Sequence, residues 1–305
     1  MSRASELRFP DGTRLRLLVR GGRVLGLYAP GSAENFLWNN PRPPKSGWPN
    51  PGGDRTWLAP EADLFVQPGG AYVVTPTVDP GRYRIAGATL VNRARVKNWR
   101  TGQTATFTIR KTVAPAANPL RYERQLTKRV SYAGYTLRTE VTGAAFEVGL
   151  WQLLQLPHGG EMLVPTYRRA EPVTYFGQVA GRDLSVTAGT VRYRMRASGV
   201  QKIGIRAAVL TGRVGYLTKS QLVVRNFLVN PSGEYVDTPW EDRADRTVAF
   251  QACNVNTPVW GAFSELEHHV PATTGRDESQ VWAFRGPPDV LSEVAARLLG
   301  GNLSA

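Results

Sequence analysis

The sequence predicts an all-β protein built from antiparallel strands, and three observations carry that prediction. Short apolar and β-branched runs recur from end to end of the 305-residue chain, and turn residues punctuate them. No fixed-period repeat relates the runs, which argues against a propeller or a solenoid. Helical spacing is clear only once, near the C-terminus.

Taken in order, the strand signals begin at 13–19, where Arg14 and Arg16 alternate with Leu15 and Leu17. The next, 23–28, follows the hairpin-type sequence Arg20-Gly21-Gly22-Arg23. Further runs fall at 104–112, 135–141, 148–156, 191–195, 203–209, 222–229, 247–254 and 280–284. Pro80-Gly81, Ala133-Gly134 and Asn230-Pro231-Ser232-Gly233 read as turns between such runs. Prolines exclude the segment 39–53 from regular ladder pairing. Trp48 inside it and Trp57 just beyond favour a pocket-rim loop over an interdomain linker. Near the C-terminus Pro287-Pro288-Asp289 opens a helix, Val290, Leu291, Val294 and Leu298 share one face, and Gly300-Gly301 ends it. A lone helix after the last strand is expected to cover a sheet edge or end.

Length allows one large all-β domain or two smaller ones. The single cysteine, Cys253, lies in an apolar-leaning run and reads as a small buried hydrophobe with no local histidine to activate it. The N-terminal sequence has no apolar core of signal-peptide length and no run approaches a membrane span, so a cytoplasmic, soluble protein is expected. A formal charge of +14 raises the question of an anionic partner. Arginine carries nearly all of it and is scattered through strands without a block or motif, which argues against nucleic acid.

Two segments could carry chemistry. In Gly261-Ala262-Phe263-Ser264-Glu265-Leu266-Glu267-His268-His269-Val270, strand alternation points Phe263, Glu265 and Glu267 one way and Ser264, Leu266 and His268 the other. One face is then either a pocket holding a glutamate base or a charged solvent face. The adjacent His268 and His269 face opposite ways, and no ligand spacing supports a metal. In Gly52-Gly53-Asp54-Arg55-Thr56-Trp57-Leu58-Ala59-Pro60-Glu61, glycines that admit close approach precede charged hydrogen-bonding groups and an aromatic plate. That combination suits the hydroxyl pairs and apolar faces of a sugar; an Asp–Arg pair that merely stabilises a loop is the alternative. His158, beside Gly159 and Gly160 at the end of an apolar run, is a candidate acid or base near neutral pH. Nucleophile-elbow, phosphate-loop and dinucleotide fingerprints are missing, which removes serine hydrolases, nucleotide triphosphatases and Rossmann oxidoreductases.

Together the two segments resemble the galactose mutarotase-like superfamily, which includes the aldose 1-epimerases. Leu266-Glu267-His268-His269-Val270-Pro271 is similar to a shortened form of the late Leu-Glu-x-Gln-x-x-Pro stretch that holds the epimerase base. The glutamine position is His269 and the spacing to proline is one residue shorter, so Glu265 stays open beside Glu267 as the base. The early Gly-Gly-Asp-Arg-x-Trp stretch is similar to that of uncharacterised bacterial members of the superfamily. The resemblance implies a single β-supersandwich domain over 1–305 with a short C-terminal helix. It also implies Glu267 as base, His158 as acid, and a sugar held by Asp54, Arg55, Trp57, Glu61, Glu265 and His269, with no cofactor. The family's earlier histidine has no counterpart here, and the aromatic pair of its mid-chain histidine motif is missing. The expected activity is anomer interconversion of a carbohydrate, free or polymeric and possibly acidic. A non-catalytic carbohydrate-binding protein on the same fold is the alternative.

Overall fold

A computed structural model describes residues 4–44, 48–143, 145–272 and 274–300. Two large antiparallel sheets dominate it. The first has the order β1 (Ala4–Arg8), β2 (Arg14–Leu18), β3 (Arg23–Tyr28), β4 (Asp54–Ala59), β9 (Gly149–Pro157), β18 (Gly261–Val270), β17 (Val248–Thr257), β14 (Gly199–Arg206) and β11 (Val173–Phe176). The second runs β12 (Leu184–Val186), β13 (Thr190–Arg194), β10 (Glu161–Pro165), β15 (Arg213–Leu217), β16 (Gln221–Phe227), β19 (Arg276–Arg285), β8 (Ser131–Thr142), β7 (Thr104–Pro115), β6 (Thr89–Lys97) and β5 (Arg84–Ala86).

The main core lies between the two sheets. Leu154, Leu266, Ala252 and Ile203 of the first meet Tyr135, Leu137, Val223 and Ala283 of the second. Because strand side chains alternate, every strand that gives this layer one residue gives the next to its other face. On the second sheet that outer face is apolar, through Leu163, Leu222, Val224 and Phe284, and the helix α3 (Pro288–Leu299) covers it with Val290, Leu291, Val294 and Leu298. Burying each such side chain contributes about 1.5–3 kcal/mol, so the helix is held by its stripe. Proline at its start and Gly300, with φ of 74°, beyond its end set its limits. The helix therefore covers a sheet face near the middle of the sheet, where the sequence suggested an edge or end. Gly301 lies outside the described residues.

Two further expectations are corrected. Ala133-Gly134 is no turn: both residues lie inside β8, paired with Ala283 and Trp282. Glycine is needed there because a Cβ on Gly134 would sit 2.1 Å from the Tyr132 hydroxyl. The stretch after Gly52-Gly53 is no loop either, since β4 pairs with β9 from Asp54 opposite Leu154 to Ala59 opposite Gly149. The two glycines lead into it with φ of 95° and 80°. Of the preceding segment 39–53, residues 45–47 lie outside the described residues; Asn39 and Gly52 form a bridge at its base, and Trp48 folds back onto Trp57.

Candidate functional site

The site is built on the outer face of the first sheet, where register brings distant segments together. Arg55 on β4 is opposite Leu153 on β9, which is opposite Glu267 on β18, which is opposite Gln251 on β17. One step along, Gln155, Glu265, Cys253 and Lys202 form a second row across β9, β18, β17 and β14. Trp57, Trp151 and His269 form a third. The three rows share one face because directly opposed residues of neighbouring strands point the same way.

Charge is concentrated in this patch. Lys202 Nζ lies 2.9 Å from Glu267 Oε2 and 3.4 Å from Glu61 Oε2. Trp151 Nε1 donates to Glu267 Oε2 at 2.8 Å, and the Tyr72 hydroxyl donates to Glu61 Oε1 at 2.9 Å. Arg55 Nη1 lies 2.7 Å from Glu265 Oε1, off the direction of a hydrogen bond, so the pair is ionic contact only. The Arg55 guanidinium lies over the Trp57 ring at 4.2 Å and near Trp48 at 5.2 Å. Asp79 anchors both indoles, accepting from Trp48 Nε1 at 2.9 Å and Trp57 Nε1 at 3.0 Å, and pairs with Arg23. Aromatic rings and the short helix α1 (Glu61–Leu64) thus wall the charges in.

Burial sets the electrostatics. Glu267 is 1 % exposed, and burial, with Glu265 and Glu61 nearby, pushes its carboxyl up to about 8 against the pull of Lys202. Burial disfavours the Lys202 charge, but Glu267, Glu61 and Asp237 outweigh it and hold the ammonium protonated. Burial, then Lys202, then His268 drive His269 well below the ordinary histidine range, so it is neutral. Several polar atoms in the patch have no hydrogen-bond partner among the described residues: Arg55 Nε, both amide atoms of Gln155 and both ring nitrogens of His269. Such atoms cost free energy unless something satisfies them, so the patch holds hydrogen-bonding capacity that the described residues do not use. Among the described residues no cluster of three or more His, Cys, Asp and Glu could hold a metal ion.

Not every residue singled out in the sequence reaches this patch. Arg55, Trp57, Glu61, Glu265, Glu267 and His269 converge on it. Asp54 does not: being one residue from Arg55 on a strand, it points into the core between the sheets. There it accepts from Arg225 Nη1 at 2.7 Å and from the Tyr135 hydroxyl at 2.5 Å. His158 follows the end of β9; Pro157 is opposite Phe263, four positions from Glu267, and the His158 Nε2 contact is with Asn254 at 3.0 Å. At roughly 3.4 Å per residue that is too far to share a small substrate's reacting atoms with Glu267. His268 faces the core, its Nδ1 accepting from Arg225 at 3.3 Å and its Nε2 3.1 Å from Asp277. Trp57 is buried with Arg55 over its ring and Phe65 stacked at 4.9 Å, so it backs the guanidinium.

Lys202 is the residue sequence inspection missed. Its signal was a lysine just before the strand-like run that starts at Ile203, in a chain with only six lysines. Which strand would lie beside β18 was not available, and that decides what Lys202 touches.

No protein-family model matches the chain, and no curated protein matches it in sequence. Among solved structures it is similar to the Slr1438 protein from Synechocystis sp. PCC 6803, with a TM-score of 0.50, 11 % identity, and 94 % of this chain and 96 % of that one covered. It is also similar to a galactose mutarotase related enzyme from Lactobacillus acidophilus, with a TM-score of 0.46, 9 % identity, and 94 % and 97 % covered. A proposed aldose 1-epimerase from Klebsiella pneumoniae gives 0.49, 10 % identity, and 99 % and 85 % covered. At such identities the likeness is one of fold. The architecture is all-β, with two large antiparallel sheets and one short C-terminal helix as the sequence leads one to expect, and it is shared over nearly the whole chain with the Slr1438 protein.

Proposed function

We propose that the outer-face patch binds a sugar and interconverts its anomers, with Glu267 as base and Lys202 as its acid partner. The observation that carries this is the meeting of Arg55, Glu265, Glu267 and Lys202 from three separate strands, with polar atoms among them that have no partner among the described residues. Anomer exchange needs one group to take the C1 hydroxyl proton and another to protonate the ring oxygen as the C1–ring oxygen bond breaks. The free aldehyde then rotates and recloses with the roles reversed. Glu267 supplies a carboxyl oxygen and Lys202 an N–H 2.9 Å from it, so a proton acceptor and a proton donor are adjacent, and Glu267 accepts once its own proton has left as pH rises toward about 8. Lys202 takes the part first assigned to His158, which sits elsewhere. Two cations, Arg55 and Lys202, face three carboxylates, Glu61, Glu265 and Glu267, so a neutral sugar fits better than the acidic one suggested by overall charge.

The test is saturation-transfer NMR on a panel of neutral aldoses. Wild type should exchange anomers above the buffer rate, and Glu267→Gln should lose about a hundredfold or more, within the range of general acid–base contributions. Exchange at the buffer rate in both proteins would end the catalytic proposal. Non-catalytic binding is the second reading, favoured by how fully Glu267 and Lys202 are buried in their own ion pair. It calls for sugar affinity without exchange.

A further inference from the structure

A cleft lies on the opposite side of α1. Residues two apart on a helical turn point about 200° apart, so Glu61 reaches Lys202 while Asp63 reaches the other way. Asp63 forms part of the wall of a cleft of about 400 Å³, large enough for a small metabolite. Its carboxylate is buried and accepts from Arg100 Nε at 2.9 Å and Arg243 Nη1 at 3.0 Å. Arg246 enters the same cleft, pairing with Glu147 at 2.6 Å. Its Nε is buried and has no acceptor among the described residues.

Three guanidinium groups therefore line one cleft with two carboxylates, Asp63 and Glu147, and Arg246 Nη2 also lies 3.4 Å from Glu234 Oε2 outside its lining. Arg100 and Arg243 each give Asp63 a single N–H, although a guanidinium carries five donors, and both side chains are more than half exposed. Asp63 fixes the two forks in place, which lowers the entropy lost when a ligand engages their outer edges. The Thr238 side chain adds a hydroxyl, and Phe146 offers an apolar wall. We propose that this cleft binds a small molecule bearing an oxyanion group, a phosphate, sulfate or carboxylate, held by Arg100, Arg243 and Arg246. The site stands independently of the sugar proposal, since none of these residues belongs to the outer-face patch.

The test is isothermal titration calorimetry with inorganic phosphate, sulfate and succinate at low ionic strength, on wild type, Arg246→Gln, and the Arg100→Gln/Arg243→Gln double variant. Arg138→Gln, remote from the cleft on β8, serves as the charge control. At least one probe should bind wild type and weaken about tenfold or more in each cleft variant, as for loss of a charge-assisted hydrogen bond, while Arg138→Gln stays close to wild type. Should the double variant fail to fold because Asp63 loses its partners, Arg246→Gln decides, since it makes no contact with Asp63. No binding to wild type by any probe overturns the proposal. Equal weakening by the control also overturns it, because the anion would then be reading only the general basic surface. Sugar exchange lost with anion binding intact, or the reverse, separates failure of one site from failure of the other.

Discussion

Lys202 on β14 and Glu267 on β18 pair at 2.9 Å across the intervening strand β17, both almost completely withdrawn from solvent. A buried pair of this kind contributes little relative to a well-packed apolar pair, yet removing one partner strands the other. Lys202→Met is expected to cost about 3–5 kcal/mol in urea unfolding. Lys202→Met combined with Glu267→Gln should recover a good part of that loss, with a coupling of about 0.5–3 kcal/mol. Strict additivity would show that the pair carries no stability.

Stability should fall between pH 6.5 and 8. Glu267 ordinarily titrates at 4.5 and is raised to about 8 in the fold, so the folded state binds the extra proton and its stabilising contribution fades as pH rises through that range. His268 and His269, both lowered from 6.5, act below this window: there the unfolded state takes up more protons and stability rises with pH. Lys111, pushed down to about 8 by burial, acts above it. Thermal unfolding followed across the window should show the decline in wild type, and Glu267→Gln should flatten it.

Asp54 should behave as a structural group. Its carboxylate holds Arg225 and Tyr135 in the core between the sheets, so Arg225→Met should destabilise by about 3–5 kcal/mol. Sugar affinity of the folded fraction should stay near wild type in that variant. A loss of affinity with unchanged stability would assign Asp54 and Arg225 to ligand contact.

Trp57 should act through Arg55. Trp57→Ala removes the ring beneath the guanidinium and the N–H to Asp79, and sugar affinity should drop about tenfold or more. Trp57→Phe keeps the plate and should restore most of it. Failure of phenylalanine to rescue would shift the role to the indole N–H.

Gly52→Ala should damage the entry to β4. Gly52 has φ of 95°, and a Cβ there would meet the Trp38 carbonyl oxygen at 2.2 Å. A penalty of about 1–3 kcal/mol for strained backbone, plus the clash, should appear as a clear fall in unfolding midpoint. An unchanged midpoint would show that this turn reshapes at little cost.

Much of the architecture was visible in one dimension because strand and helix periodicity are local. The run 23–28 is β3 as expected, and the stripe of Val290, Leu291, Val294 and Leu298 is the buried face of α3. Glu265 and Glu267 share a face because alternation alone requires it. Adjacency in sequence groups Asp54 and Arg55 as one set of sugar-binding groups; once β4 pairs with β9, neighbours in sequence must part.

From its own order of residues, then, the chain settled which stretches extend, where one helix lies and which side chains within each strand travel together, since those depend on contacts a few residues long. Only the folded body decided which strands are neighbours. That choice set Lys202 beside Glu267, sent Asp54 to Arg225 and left His158 with Asn254, because pairing between remote strands depends on how whole faces pack, and no short window of sequence holds that information.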